Sequence, residues 1–365
     1  MDSLVQGEEG RGIVGGVKGS VLLERLGEEA SRIGFDLFGV SAARRSPRAD
    51  AVRRWLGEGM HAGMDWMTRD PERRLDPARV VDGARSVISV GLMYYCEDPP
   101  DEVWEDPLRG RVARYAWGKD YHDVVKPMLM DLGRWLEGVA GEGMAWRAYV
   151  DTGPVLEREV AERAGLGFVG KNTLLIHPLA GSYFVLGEIV TALDFGLEAE
   201  EVRPDAGTCG GCRRCLDVCP THAFPAPYIL DSRLCISYLT IEHRGSIPEA
   251  LREKMGRWVF GCDACQTICP WVRSHRKAAT SVRFTRFDPE RCAPRLDELM
   301  ALTPASFAER FRGMPVKRAK RSGLRRNAAV ALGNSGHSEA RACLEQYIND
   351  ADPVVREHVL WALDH

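Results

Sequence analysis

The chain reads as an α+β protein in three parts, and three observations divide it. Between residues 20 and 200, apolar β-rich runs alternate with segments whose apolar residues recur at helical spacing, the pattern of a mixed α/β domain. Eight of the eleven cysteines then fall between Cys209 and Cys269 and mark a module over 201–295. From 296 to 365 the pattern is helical and weakly repeats itself. The 365 residues leave ample chain for a large core.

Residues 1–19 hold six glycines and few apolar side chains, so an unstructured leader or an over-long translation start is expected there. Leu22, Leu23, Leu26, Ala30 and Ile33 form a helical stripe over 21–33, stopped by Gly34. The runs 35–40 and 86–94 read as buried strands. Between them, 55–67 reads as a helix and 71–75 as a loop carrying Arg73 and Arg74. The run Ala-Arg-Tyr-Ala-Trp-Gly-Lys-Asp-Tyr-His over 113–122 leads into a helix at 124–138 with a Met/Leu face. A strand at 145–150, the turn Asp151-Thr152-Gly153-Pro154, a helix through 164 and a strand at 182–193 complete the first domain. Beyond the cysteines, 271–294 is basic and irregular, and 302–311 and 324–363 are helical. There Arg325, Asn327, Ala331 and Leu332 match Arg356, His358, Ala362 and Leu363 at an offset of 31, with Asp352-Pro353 opening the last helix. Either a HEAT-like helix-pair repeat or a plain helical cap has this form.

The cysteines read Cys209-x2-Cys212-x2-Cys215-x3-Cys219-Pro220, then Cys235, then Cys262-x2-Cys265-x3-Cys269-Pro270. The first run is the bacterial ferredoxin signature, in which three thiolates grip one cubane and the fourth, before Pro, reaches the other. Two [4Fe-4S] clusters are therefore expected. By that crossover, Cys209, Cys212 and Cys215 are completed by Cys269, while Cys219 joins Cys235, Cys262 and Cys265. Cys235 stands 27 residues before Cys262, so the second site contains an inserted loop. A zinc ribbon would leave the extra cysteines and both Cys-Pro steps unexplained. A disulfide framework belongs in small secreted domains. Radical chemistry on S-adenosylmethionine needs a C-x3-C-x2-C run, which the chain lacks. Cys96, Cys292 and Cys343 read as ordinary buried thiols.

The net charge of −3 exerts no global pull toward nucleic acid, so any such binding must come from a local patch. One candidate is the acid-free run 317–327, with Lys317, Arg318, Lys320, Arg321, Arg325 and Arg326, and His243-Arg244-Gly245 is a candidate extension of it. A solvated face and a phosphate-contacting surface both fit it. The longest apolar stretch, 182–192, is short and carries Glu188, and no signal or membrane span is read; a cytoplasmic protein is expected. Gly165-x4-Gly170-Lys171-Asn172 misses the P-loop pattern, because Asn172 stands where the magnesium-binding hydroxyl belongs. Asp120-x-His122 begins a cobalamin-ligand motif, but Val125 replaces its Gly, which leaves a surface His. Asp151 is either an Asx turn or cap for the following helix, or a carboxyl at a pocket mouth, shifted up by burial to give a proton near neutral pH.

From about residue 20 onward the chain resembles the tRNA epoxyqueuosine reductases. The resemblance is carried by Trp117-Gly-Lys-Asp-Tyr-His122, Val150-Asp-Thr-Gly153, Ala161-Glu-Arg-Ala-Gly165, Gly170-Lys-Asn172 and Gly181-Ser-Tyr183. The ferredoxin run, Arg233-x-Cys235-Ile-Ser-Tyr-Leu-Thr240, Gly245-Ser-Ile-Pro248 and Gly261-Cys-Asp-x-Cys-Gln-Thr-x-Cys-Pro270 add to it. It implies a cobalamin enzyme that removes the epoxide oxygen of epoxyqueuosine in the tRNA anticodon, the last step toward queuosine. It also implies a cobalamin domain akin to that of reductive dehalogenases, a ferredoxin module and a HEAT-like tail. By position, Asp151 corresponds to the proposed proton donor, and Arg74, Ala113 and Ser237 fall in segments resembling cobalamin contacts. Lys171 and Asn172 are placed near the cofactor, and no His lower ligand is implied. Electrons would come from an outside donor such as a flavodoxin, a ferredoxin or their reductase, and the chain is expected to act as a monomer. Two rivals are a reductive dehalogenase-like cobalamin oxidoreductase and a non-catalytic electron carrier or RNA adaptor.

Overall fold

The computed structural model describes residues 13–14, 17–141, 143–197, 207–275 and 287–365. Most of the expected leader lies outside them, but Ile13–Val14 pairs antiparallel with Val17–Lys18, so regular structure begins earlier than composition predicts. Helix α1 (Gly19–Ile33) buries Leu22, Leu26 and Ala30, and Gly34, at φ +110°, ends it by donating to the Ala30 carbonyl at 3.1 Å.

The first domain is built on four strands, β1 (Leu37–Ala42), β2 (Ser86–Met93), β3 (Trp146–Tyr149) and β4 (Phe184–Thr191). They form one antiparallel sheet in the order β1-β2-β4-β3. Every residue of β2 is buried, because both faces of the sheet are covered. Ile88, Val90, Leu92 and Ile189 pack against α1 and the long helix that follows residue 120, while Val87 and Val190 meet Val155 and Val160 on the other side. The register sets Ser89 and Tyr149 opposite Glu188, and strand alternation puts Glu188 on the second face with Val87 and Val190.

Between β1 and β2 the expected helix at 55–67 is split. Helix α2 (Ala49–Gly57) ends early, and Gly59 at φ +68° and Ala62 at φ +54° turn the chain before a short helical turn at Asp65–Met67. The expected loop at 71–75 is helix α3 (Pro71–Leu75): the Asp70 side chain accepts from the Arg73 amide at 3.1 Å, and Pro71 occupies the first turn. Helices α4 (Tyr121–Ala140) and α5 (Glu157–Arg163) flank the strand β3. The stretch 271–294 contains helical turns at Pro270–His275 and Pro289–Cys292, and 276–286 lie outside the described residues.

The inserted loop between Cys235 and Cys262 carries α6 (Ile236–Ile241), and the tail comprises α7 (Lys320–Gly333), α8 (Ser338–Glu345) and α9 (Pro353–Asp364). These parts share one core: Ile236, Leu239, Ile247 and Phe260 pack with Leu299, Leu324, Ala331, Val355 and Val359. Residue 295 therefore marks no break in packing. The offset-related Asn327 and His358 are both fully buried and both bind the inserted loop. Asn327 donates to the Thr240 and Val259 carbonyls, each at 2.8 Å, and His358 Nε2 accepts from the Ile247 amide at 3.1 Å.

Two members of the expected basic patch are corrected here. Arg325 turns inward to the Met300 carbonyl and forms a buried pair with Asp350 at 2.5 Å. Arg326, 1% exposed, donates to the carbonyls of Leu239 (2.6 Å), His243 (2.9 Å) and Gly245 (2.8 Å). A run of basic residues on a helix points in all directions, and these two point into the core. Arg326→Ala should strand several buried carbonyls and cost about 3 kcal/mol or more, lowering the melting temperature measured by differential scanning fluorimetry. A melting temperature equal to that of wild type would show that the staple is dispensable.

Candidate active site and cluster module

Cys209, Cys212, Cys215 and Cys269 line one cavity, and the charges of Cys219, Cys235 and Cys262 bear on Cys265, although among the described residues no three are drawn together closely enough to hold a metal ion as they stand. Burial, then the charges of Cys209, Cys269 and Cys212, push the Cys215 thiol up to about 11. Burial, then Cys262, Cys235 and Cys219, push Cys265 well above its ordinary value. Cys269 thus stands with the first run and Cys219 with the later cysteines. Thiols so crowded stay protonated unless a cation offsets their charge, which is what a bound iron cluster does. A cavity of about 160 Å³ is lined by Cys209, Cys212, Cys215 and Cys269 together with Asn172, Ile176, Pro270 and Trp271.

Lys171 and Asn172, which the resemblance places near the cofactor, contact the cysteine module. They occupy the turn of a hairpin, Phe168–Val169 with Leu175–Ile176, and not a strand-to-helix loop. The Lys171 amide donates to Cys209 Sγ at 3.4 Å, and its ammonium donates to the Gly210 (2.7 Å) and Cys212 (2.9 Å) carbonyls. Asn172 Nδ2 donates to the Cys265 carbonyl at 3.2 Å, so this one turn touches both cysteine groups.

Asp151 follows β3 at φ +56°, a conformation that surrounding contacts must hold. Its amide donates to Glu157 Oε1 at 2.5 Å. Its carboxylate accepts from the Tyr121 hydroxyl at 2.8 Å and lies 3.8 Å from His122 Nε2. The next turn is pinned by Arg74, which donates to the Gly153 carbonyl at 3.0 Å; a Cβ at Gly153 would strike the Tyr149 ring at 2.4 Å. The cap reading of Asp151 fails, because α5 starts at Glu157 behind Leu156 and has no side-chain cap. The burial assumed for its carboxyl is also absent, for that side chain is 63% exposed.

His122, read as a surface residue, is half-buried between two acids. Burial lowers its pKa, but the 2.7 Å contact with Asp120 and then the charges of Asp120 and Asp151 hold it above the ordinary value. Asp120, despite burial, is held down to about 2 by His122 and Lys317. Burial and then Asp151 push the Tyr121 hydroxyl far up, so it remains a donor.

The tail also reaches this region, where Lys317 lies 3.2 Å from Asp120. Trp66 is 41% exposed, and the Arg318 guanidinium lies 5.3 Å from its ring centre and 2.9 Å from Glu242. The Gly63 amide donates to the Tyr238 hydroxyl at 2.9 Å, beside the partly exposed Ser237. Ala113 is fully buried; its amide donates to Phe260 and its carbonyl accepts from Ala116, so it offers a ligand no free polar atom. Sequence reasoning missed Glu157 and Trp66, which no motif marks, and gave Tyr121 no role although it lies within the run 117–122. It noted Glu188 only as a charge interrupting an apolar run, and that interruption was the available signal.

The family model described as epoxyqueuosine reductase QueG matches residues 74–152, a 4Fe-4S double cluster binding domain matches 208–272, and HEAT repeats match 317–365. An epoxyqueuosine reductase of Xanthomonas campestris is 40% identical over 343 residues, covering 93% of this chain and 94% of its own. The chain belongs to the epoxyqueuosine reductase family. A crystal structure of epoxyqueuosine reductase with a tRNA-Tyr epoxyqueuosine-modified stem loop superposes with TM-score 0.85 at 31% identity, covering 95% of this chain and 90% of that one. The Bacillus subtilis epoxyqueuosine reductase, described with its aspartate-bearing catalytic loop swung out of the active site, gives TM-score 0.83 at 32% identity, with 94% and 90% covered. Membership accounts for the three-part architecture, and no helix among the described residues of this family member is long and apolar enough to cross a membrane.

Proposed function

We propose that the chain reduces epoxyqueuosine in a tRNA anticodon to queuosine, taking out the epoxide oxygen as water with two electrons and two protons. The observation that carries the chemistry is the exposed Asp151 carboxylate, which accepts from the Tyr121 hydroxyl and lies 3.8 Å from His122. The cysteine groups are read as ligand sets for two [4Fe-4S] clusters, Cys209/Cys212/Cys215/Cys269 and Cys219/Cys235/Cys262/Cys265. The half-buried guanidinium of Arg74 and the hydroxyl of Ser237 suit the polar rim of a cobalamin, whereas Ala113 suits only an apolar contact. When bound, cobalamin supplies a low-valent reductant and the clusters supply its electrons.

The protein's own residues handle the proton and the substrate. Asp151 gives a proton to the departing oxygen, Tyr121 and His122 aim its carboxyl, and His122 can return a proton between turnovers. Arg74 holds the turn after Asp151, and the loop is read as able to swing, as in the Bacillus subtilis relative. Trp66 offers a face on which a base can stack, beside Arg318. Lys317, Arg318, Lys320 and Arg321 are the members of the basic run left to meet phosphate, and the electron donor is read as a flavodoxin, a ferredoxin or their reductase. The protein is read as a cytoplasmic monomer.

The test is anaerobic incubation with cobalamin, reductant and epoxyqueuosine-containing tRNA, followed by mass analysis of the nucleosides. Loss of one oxygen atom is expected, and an unchanged mass with both cofactors loaded would refute the assignment. Replacing Lys317, Arg318 and Lys320 together by Ala should flatten the plot of log affinity for tRNA against log salt by about 3, roughly one per phosphate contact. An unchanged slope would move the tRNA site away from this run.

A further inference from the structure

The Asp151 turn rests on a pair of acids, Glu188 fully buried and Glu157 partly so, that the proposed reaction does not otherwise use. Glu188 is 0% exposed within β4, and both its carboxyl oxygens are buried without a hydrogen-bond donor. The group that faces it is Glu157, the first residue of α5, whose Oε1 accepts from the Asp151 amide. Two carboxylates cannot face each other in the interior and both carry charge. One proton between them converts the repulsion into a hydrogen bond and still leaves Glu157 an oxygen for the Asp151 amide. Burial first, then the neighbouring carboxylates, pushes Glu157 up to about 7 and Glu188 well above its ordinary value. The other charged or titratable groups around the pair are Asp151, Arg158, Arg74, Tyr149 and, from α4, Tyr121 and His122.

We propose that Glu157 and Glu188 share one proton and act as a positioning latch, holding the Asp151 turn in place through the Asp151 amide. The inference rests on the reading of Asp151 as the proton donor. Glu157 supplies the acceptor and Glu188 fixes its orientation from the sheet. The turn gains from such a hold, because φ +56° is an uncommon conformation for a non-glycine residue, although aspartate adopts it more readily than most.

Two measurements on the holoenzyme test the latch. Infrared spectra at neutral pH should contain the carbonyl stretch of a protonated, buried carboxylic acid, and Glu188→Gln, which substitutes a permanent amide donor, should remove it. Hydrogen exchange followed by mass spectrometry should show the peptide 150–157 protected in wild type and in Glu188→Gln. In Glu157→Leu that protection should fall by about tenfold or more, and kcat should drop with little change in KM for tRNA. Persistence of the carboxylic acid band in Glu188→Gln, or wild-type protection in Glu157→Leu, would overturn the proposal. Neither the spectrum nor the exchange requires turnover. A latch found in a protein that leaves epoxyqueuosine untouched would therefore refute the reaction and not the latch.

Discussion

Asp151→Asn should reduce single-turnover oxygen removal by about 10² to 10⁴, the usual worth of a positioned general acid. The substitution is nearly isosteric. Its amide oxygen can still accept from the Tyr121 hydroxyl, and the backbone contact to Glu157 does not involve the side chain. What Asn lacks is a transferable proton. Affinity for tRNA and cluster content should therefore match wild type while the rate collapses, the signature of an interaction made only in the transition state. Tyr121→Phe removes the 2.8 Å bond but leaves the acid in place, so a smaller loss of about tenfold is expected. If Asp151→Asn reacted as fast as wild type, the proton would have to come from elsewhere. His122, 3.8 Å away and held above its ordinary pKa by Asp120, would be the group to replace next.

How far such residues could be read without the structure depended on what fixes their positions. The cysteine groups were legible because cluster ligation constrains spacing along the chain itself, and Cys-x2-Cys-x2-Cys-x3-Cys-Pro suits little besides an iron–sulfur cluster. The buried strands were legible for a similar reason: a strand covered on both faces is apolar throughout, as β2 is. Direction within a helix was not. Lys317 and Arg326 look alike in a basic run, yet one lies 3.2 Å from Asp120 at the surface and the other is bound to carbonyls of the inserted loop. For Lys171 and Asn172 the glycine-rich context suggested close approach without saying to what, and the structure sets a tight hairpin turn beside Cys209. The short helix α3 escaped notice because five residues carry no periodicity, and only Asp70 and Pro71 mark its start.

The pairing of the cysteines leads to the other large effect, and paired substitutions separate crossed from sequential ligation. In the crossed arrangement Cys209 and Cys269 serve one cluster, so Cys209→Ala combined with Cys269→Ala should leave the other intact, with iron falling from about eight to about four atoms per chain. Cys209→Ala combined with Cys219→Ala strikes both groups and should leave little iron at all. Sequential ligation predicts the opposite: Cys209 and Cys219 would then share a cluster, and their joint loss would spare about four irons. The structure favours the crossed outcome, since Cys215 is influenced by Cys209, Cys212 and Cys269, and Cys265 by Cys219, Cys235 and Cys262. Iron analysis with low-temperature electron paramagnetic resonance of the reduced protein reads the result directly. Oxygen removal should vanish in both double variants, because electrons that enter at one cluster must pass the other. The donor is expected to meet the cysteine group whose cavity Trp271 and Pro270 line, although cysteines of both groups are partly exposed. If the variant that keeps four irons still turned over at the wild-type rate, one cluster would suffice, and the serial path through both clusters would have to be abandoned.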